Sequence, residues 1–335
     1  VEALGAGREA VAAAPAYNAG MGKFPASRHF ALRLSMMLAV FTVALFSQQG
    51  GNDAVLAQLR AAIEGFEGTV SLYARNLDTG ATVGIRENEP VRTASTIKLP
   101  IMVAAFRAVN EGKARWKDKI AITPASKVSG SGVIREFADG TRLTLRDLVH
   151  VMIVVSDNTA TNLVLDRLST DYVNETMAGL NYPQTRSMRK IRGDGTNLKA
   201  ATGWSAEGQK PENQRWGIGR STPREMVDLL ARIANGAIVS SDASREMVEI
   251  LERQQFKDGI GRAFIDTPGV RVASKSGALD ALRSDVGVLY HPKGRLAIAI
   301  TVDGMPVVDY SPDNKGNLLI SKLTGVLVEG LLSAK

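Results

Sequence analysis

The 335-residue chain has no cysteine. That excludes disulfides, a thiol nucleophile, a lipid carried on cysteine and any zinc or iron–sulfur centre held by thiolates. Histidine is nearly absent as well, with only His29, His150 and His291. There is no His-Glu-x-x-His pair to hold a catalytic metal, and no metal or cofactor is expected. The Gly-x-Ser-x-Gly elbow of His-dependent serine hydrolases is missing. A phosphate-cradling loop is missing too, because Ser129-Gly130-Ser131-Gly132 is not followed by Lys-Ser or Lys-Thr. Aromatics make up 5% of the residues. The basic cluster Arg186, Arg189, Lys190 and Arg192 has none interleaved, so it reads as a solvated surface and no nucleic-acid partner is expected. No internal 20-residue window is apolar enough to span a membrane.

The remainder is ordinary for a folded protein, 44% hydrophobic and 22% charged, and long enough for one large or two intimate domains. The N-terminal region stands apart. Residues 1–20 precede Met21, are rich in Ala and Gly, and read as a misplaced start or a disordered tail outside the fold. From Met21 the basic residues Lys23, Arg28 and Arg33 precede the apolar run "LSMMLAVFTVALF" and the polar "SQQGGN". This is the pattern of an export signal over residues 21–47, with Ser47 small enough for the last removed position. An exported protein, periplasmic or extracellular, is expected; an uncleaved signal would leave it membrane-anchored. Without residues 1–47 the chain carries 37 basic against 32 acidic side chains, a net of +5.

Hydrophobic periodicity orders the remainder. Asn52–Phe66 has helical spacing. Thr69–Asn88 alternates on either side of Asp78-Thr79-Gly80, which predicts a hairpin. A helix is expected from about Ser95 to Glu111. Two more, Leu143–Val155 and Thr159–Ser169, flank Ser156-Asp157-Asn158. Residues 180–220 show little periodicity, and so long an irregular stretch inside a domain points to function or mobility. Thr222 as cap, Pro223 in the first turn and Gly236 as stop frame the next helix, and another covers about Asp242–Gln254. Three strand-like runs follow, then an apolar-faced helix. The order predicts an α+β fold: an antiparallel sheet formed from both chain ends (48–88 and 260–335), flanked by helices, with a helical domain inserted over 89–259.

Three short motifs fall at element junctions. Ser-x-x-Lys occurs twice, at Ser95/Lys98 and Ser187/Lys190; roughly one is expected by chance. Only the first opens a helix, which sets Lys98 one turn from Ser95. Ser156-Asp157-Asn158 and Lys275-Ser276-Gly277 are much rarer, expected roughly 0.05 and 0.15 times. Singly, each has a bland explanation: helix caps for the serines and Asn158, a glycine-bulged strand for the third. Their joint occurrence favours a shared site. A serine hydroxyl needs a base, and a neutral lysine serves if burial and a nearby positive charge such as Lys275 depress its pKa. Ser156 could relay the proton to a leaving nitrogen. Asn158 could hold a substrate amide, and Lys275 with Ser276 a carboxylate. The N–H groups of Ser95 and Ala278 could form an oxyanion hole.

The trio resembles that of the penicillin-recognising serine acyl-enzymes, the class A β-lactamases and related DD-peptidases. The resemblance runs from about Asn52 to Lys335. It implies a sheet-plus-helical-domain fold, an acyl-enzyme on Ser95, and a β-lactam or D-Ala-D-Ala-like substrate. It also implies catalytic roles for Lys98, Ser156 and Lys275, and substrate contacts from Asn158, Ser276, Gly277 and Ala278. Two departures stand out. Ser276 replaces the commoner threonine, which keeps the hydroxyl. The Glu-x-x-Leu-Asn signature that positions the deacylating water in class A enzymes is missing; Glu207, ahead of Glu212, is the candidate by its distance before Thr222-Pro223. The expected protein is therefore a serine β-lactamase-like hydrolase. A DD-peptidase, or a penicillin-binding protein that acylates and stays blocked, is the alternative. No obligate protein partner is expected, and the protein is expected to act as a monomer.

Overall fold

Alternating residues 69–76, half of them apolar, form the second strand of a five-stranded antiparallel sheet. In the computed structural model, which describes residues 52–332, residues 52–63 are helical (α1). The tail 1–20 and the export segment 21–47 lie outside the described residues. The sheet takes β1 (Thr69–Asn76) and β2 (Thr82–Ile85) from one end of the sequence. From the other come β8 (Arg271–Leu279), β9 (Leu282–His291) and β10 (Gly294–Asp303). The strand order is β2-β1-β10-β9-β8, so the sheet is built from both chain ends, as expected. β8 is an edge strand, and Ser276 lies opposite Asp285 of β9.

Each sheet face carries its own apolar layer. On one, Leu72, Ile298, Ile300 and Leu289 pack against Val55 and Leu59 of α1 and Leu323 and Leu327 of α9 (Lys315–Leu331). On the other, Tyr73, Ala299, Val286 and Val288 meet the helical half of the molecule. That half contains α2 (Lys98–Asn110), α3 (Leu145–Val154), α4 (Asn158–Leu168) and α5 (Thr170–Gly179). α2 is apolar on nearly every face, from Leu99 to Phe106, and is buried at the centre of the bundle.

The segment 89–259 is less uniform than the sequence pattern suggests. It contributes two small sheets: β3 (Val91–Arg92) with β6 (Arg186–Ser187) and β7 (Gly219–Ser221), and β4 (Lys119–Ala121) with β5 (Arg142–Thr144). The irregular stretch 180–220 holds β6, the four-residue α6 (Ala206–Gln209) and β7. Its last helices, α7 (Pro223–Ala234) and α8 (Ser241–Glu252), lie on the sheet: α7 packs on β1 and β10, and α8 on β8. Thr222 caps α7 by accepting the Glu225 N–H, with Pro223 at the first turn.

Candidate active site

Ser95 lies in a single 3₁₀ turn, Ala94–Ile97, which runs directly into α2. The expected α-helix therefore starts three residues later, at Lys98. Ala94 adopts a left-handed backbone with φ of 46°, a conformation that costs a non-glycine residue energy and is held by its surroundings. One of those surroundings is β8. A Cβ at Gly277 would lie 2.9 Å from the Thr93 carbonyl oxygen and 3.0 Å from the Ser95 nitrogen. Only a residue without a side chain lets the strand approach the serine turn this closely.

Ser156 is the second non-glycine residue of the site in the left-handed region, with φ of 54°. It is held by Asp157 beside it. One Asp157 carboxylate oxygen caps α4 at the Ala160 N–H (2.7 Å). The other accepts from Val133 (2.7 Å) and Ile134 (2.9 Å) on the facing loop. The middle residue of Ser-Asp-Asn is thus a structural knot, and the outer two face Lys98.

Lys98 and Lys275 are both fully buried. The Lys98 ammonium nitrogen donates to the Ser156 carbonyl (2.7 Å), Ser156 Oγ (3.1 Å) and Asn158 Oδ1 (2.9 Å). Burial drives its pKa well below the ordinary lysine value; the positive Lys275 adds to this and Asp157 opposes it. Lys275 is pushed down to about 7, by burial against the opposing attraction of Asp285. Lys98 therefore gives up its proton more readily than an ordinary lysine, and Lys275 retains partial charge at neutral pH.

Ser95, Ser156, Asn158, Ser276, Gly277 and Ala278 line one cleft of about 690 Å³. Three segments distant in sequence are thereby brought together. The opposite wall comes from the irregular stretch, through Ile191, Asp194 and Trp216. That wall is tied to its neighbours: Asn162 pairs with Ile191 through both side-chain amide groups (2.8 and 2.9 Å), and Ser129 Oγ accepts from the Asp194 N–H (2.9 Å). The second Ser-x-x-Lys is elsewhere. Ser187 is buried in β6, and Lys190 pairs with Asp166 (2.5 Å).

Glu207 is not brought to this cleft. Its carboxylate accepts from Lys210 Nζ (2.6 Å) and Asn213 Nδ2 (3.0 Å), and Lys210, with Arg186 and Arg220 farther off, holds its pKa below the usual range. Its place is fixed by local sequence. Ser205 caps α6, and the backbone of Gly208 packs so tightly on Met188 that a Cβ there would lie 2.1 Å from the Met188 oxygen. The wall positions are taken by 189–198 and 216–218 instead. Glu212, the runner-up, is exposed. Among the described residues no carboxylate hydrogen-bonds Lys98. His150 and His291 do not line the cleft.

One contributor went unread in the sequence. Gln254, expected in the last turn of a helix, lies two residues past the end of α8, buried against β8. Its only signal was an uncharged polar side chain where the helical stripe demands an apolar one.

A serine turn pressed against a sheet edge, followed by a buried lysine that is hydrogen-bonded to a second serine, is the arrangement of a serine acyl-transfer enzyme. Comparison with known proteins places it within that class. The family model of the β-lactamase enzyme family matches residues 54–331, and the chain belongs to that family. It is a serine hydrolase of the class A type. Over 269 residues it is 25% identical to a β-lactamase of Bacillus licheniformis, covering 80% of this chain and 81% of the relative. A β-lactamase of Streptomyces cellulosae is 27% identical over 298 residues, covering 84% and 86%. The crystal structure of a β-lactamase from Sphaerobacter thermophilus is similar with a TM-score of 0.70 at 32% identity, covering 82% of this chain and 95% of that one.

Proposed function

We propose that the chain opens β-lactam amide bonds through an acyl-enzyme on Ser95. The observation that carries this reading is the triple hydrogen bonding of a fully buried Lys98 to Ser156 and Asn158, beside a serine turn that β8 nearly touches. Neutral Lys98 takes the Ser95 proton as Oγ attacks the carbonyl carbon. The resulting oxyanion meets the N–H groups of Ser95 and Ala278. Because Ser276 directs its N–H off the sheet edge to Gln254, Ala278, two residues on, directs its own the same way. Ser156 passes the proton from Lys98 to the leaving nitrogen, and the C–N bond breaks. Asn158 orients the acyl side chain, while Lys275 and Ser276 attract a carboxylate. Water then releases the acid and restores Ser95. In this reading the protein is exported and acts as a monomer on a small-molecule substrate.

A second reading, a DD-peptidase or acyl-trapping penicillin-binding protein, draws on one observation: among the described residues no carboxylate hydrogen-bonds Lys98 to activate the deacylating water. Mixing residues 48–335 with a chromogenic cephalosporin, and following absorbance and intact mass together, separates the two. Sustained turnover is expected. A stoichiometric adduct that persists for hours would favour the second reading. An adduct that survives Ser95→Ala would reject the nucleophile.

A further inference from the structure

β8 is the sheet edge that borders the cleft, and half of that edge is already paired, by a side chain. Gln254 is 1% exposed, and its amide lies along β8 as a neighbouring strand would. Nε2 donates to the Ser274 carbonyl (2.9 Å) and Ser274 Oγ (3.0 Å). Oε1 accepts from the Ser276 N–H (2.9 Å), Ser276 Oγ (3.1 Å) and Lys275 Nζ (3.1 Å). In an antiparallel strand the N–H and C=O of one residue point to the same edge, and the edge alternates along the chain. Ser274 and Ser276 are therefore spent on Gln254 and on Lys275, whose ammonium also donates to the Ser276 carbonyl (2.7 Å). The next outward-facing residue is Ala278, which is exposed.

We propose that Gln254 is a positioning residue for the reaction: its amide holds the Lys275 ammonium in place and closes the sheet edge as far as Ser276, leaving Ala278 as the first backbone position open to a substrate. This rests on the reading of Lys275 as a group that must be charged to receive an anionic substrate. A neutral amide suits that task. It gives the ammonium an oxygen without adding a charge of its own, so the local field is left to the other groups around Lys275. These are Lys98 of α2, Asp285 of β9, Asp157 ahead of α4 acting through Lys98, and Lys257 beside Asp285.

Two substitutions of opposite sign test it. Gln254→Glu keeps both the length and the oxygen but sets a carboxylate against Lys275; the proton on Lys275 is then held more tightly, by roughly one to three pH units. Gln254→Met keeps the volume and removes the acceptor, so the proton is lost at lower pH than in the wild type. The measurement is the NMR titration of the Lys275 side-chain Cε in the folded protein, followed beside the alkaline limb of the acylation rate. Opposite displacements of the titration midpoint, with the alkaline limb following, are expected. Both variants must also lose at least tenfold in acylation rate at pH 7. A Lys275 midpoint that stays within 0.3 pH unit, roughly the precision of such titrations, in both variants overturns the proposal. The titration does not depend on turnover. If wild-type Ser95 fails to acylate, the functional reading falls while the role of Gln254 toward Lys275 is still decided.

Discussion

Gly277→Ala tests whether the approach of β8 to the nucleophile turn does catalytic work. The wild-type φ at Gly277 lies outside the left-handed region, so alanine brings no backbone strain and the perturbation is purely steric. Its methyl would sit 2.9 Å from the Thr93 oxygen, 3.0 Å from the Ser95 nitrogen and 3.1 Å from the Ala94 Cβ. All three partners are backbone or the first side-chain carbon, so none can swing aside. Carbon contacts relax near ~3.5 Å, and strand and turn must therefore part by about half an ångström. The Ser95 N–H and Ala278 N–H, proposed as the two oxyanion donors, sit on opposite sides of that gap. Losing the alignment of one such donor costs about 10²–10³ in rate, and misplacements near 1 Å cost about 10². We expect the acylation rate constant to fall about 100-fold, or ~2.7 kcal/mol. Overpacking should destabilise by ~1–3 kcal/mol and leave the protein folded. Stopped-flow acylation with a chromogenic cephalosporin, alongside thermal unfolding, reads both quantities. Acylation within threefold of wild type would refute the reasoning.

Two other substitutions carry predictions. Glu207→Gln should leave turnover within about twofold of wild type, because its carboxylate is engaged with Lys210 and Asn213 and lies outside the cleft; steady-state kinetics showing a loss of about 10²-fold would restore it as the base. Asp285→Asn should stabilise the protein, and more so at alkaline pH. Asp285 is fully buried, its Oδ1 has no partner, and burial raises its pKa to about 6. The folded state thus binds this proton more tightly than the unfolded chain, and stability falls as pH rises from about 4 to about 6. The effect is on the order of 3 kcal/mol. Melting temperatures at pH 5 and pH 8 check it: the variant's gain should be larger at pH 8, and an equal or smaller gain there contradicts the assignment.

Much of the fold was legible because it rests on local signals. Alternation around Asp78-Thr79-Gly80 marks β1 and β2, the Thr222-Pro223 pair marks the start of α7, and the apolar run after Ser95 marks the central helix. The three motifs were legible for a related reason: each combines small or polar residues at a junction, where side chains are free to converge. Other features depend on contacts that no local pattern reports. Nothing in "RTASTIK" announces that Ala94 takes a positive φ; that follows from β8 pressing on the turn. Gln254 looks like a frayed helix end until β8 is placed beside it. Glu207 is a candidate only by its distance from Thr222, which presumes that the loop follows the family's path. The close packing of Gly208 on Met188 and the bond of Glu207 to Lys210 instead hold this carboxylate outside the cleft.

That departure bears on the second half of the reaction. Once the leaving nitrogen has taken its proton by way of Ser156, Lys98 is neutral again and still bonded to Ser156 and Asn158. Burial and Lys275 both favour this uncharged form, so under the proposed scheme Lys98 is itself a competent base for the deacylating water. The water would have to reach it past Asn158 and Ile218, which line the cleft. Acylation and deacylation would then share one base and one alkaline requirement, the charge on Lys275. A separate carboxylate for the second step would give the two steps different bases, and their pH profiles would differ. Here the acid limbs of the acylation and deacylation rates should coincide, since both reflect deprotonation of Lys98. Single-turnover mass spectrometry across pH 4–8 measures each limb separately. Acid limbs more than about one pH unit apart would show that a second base, outside this lysine, releases the product.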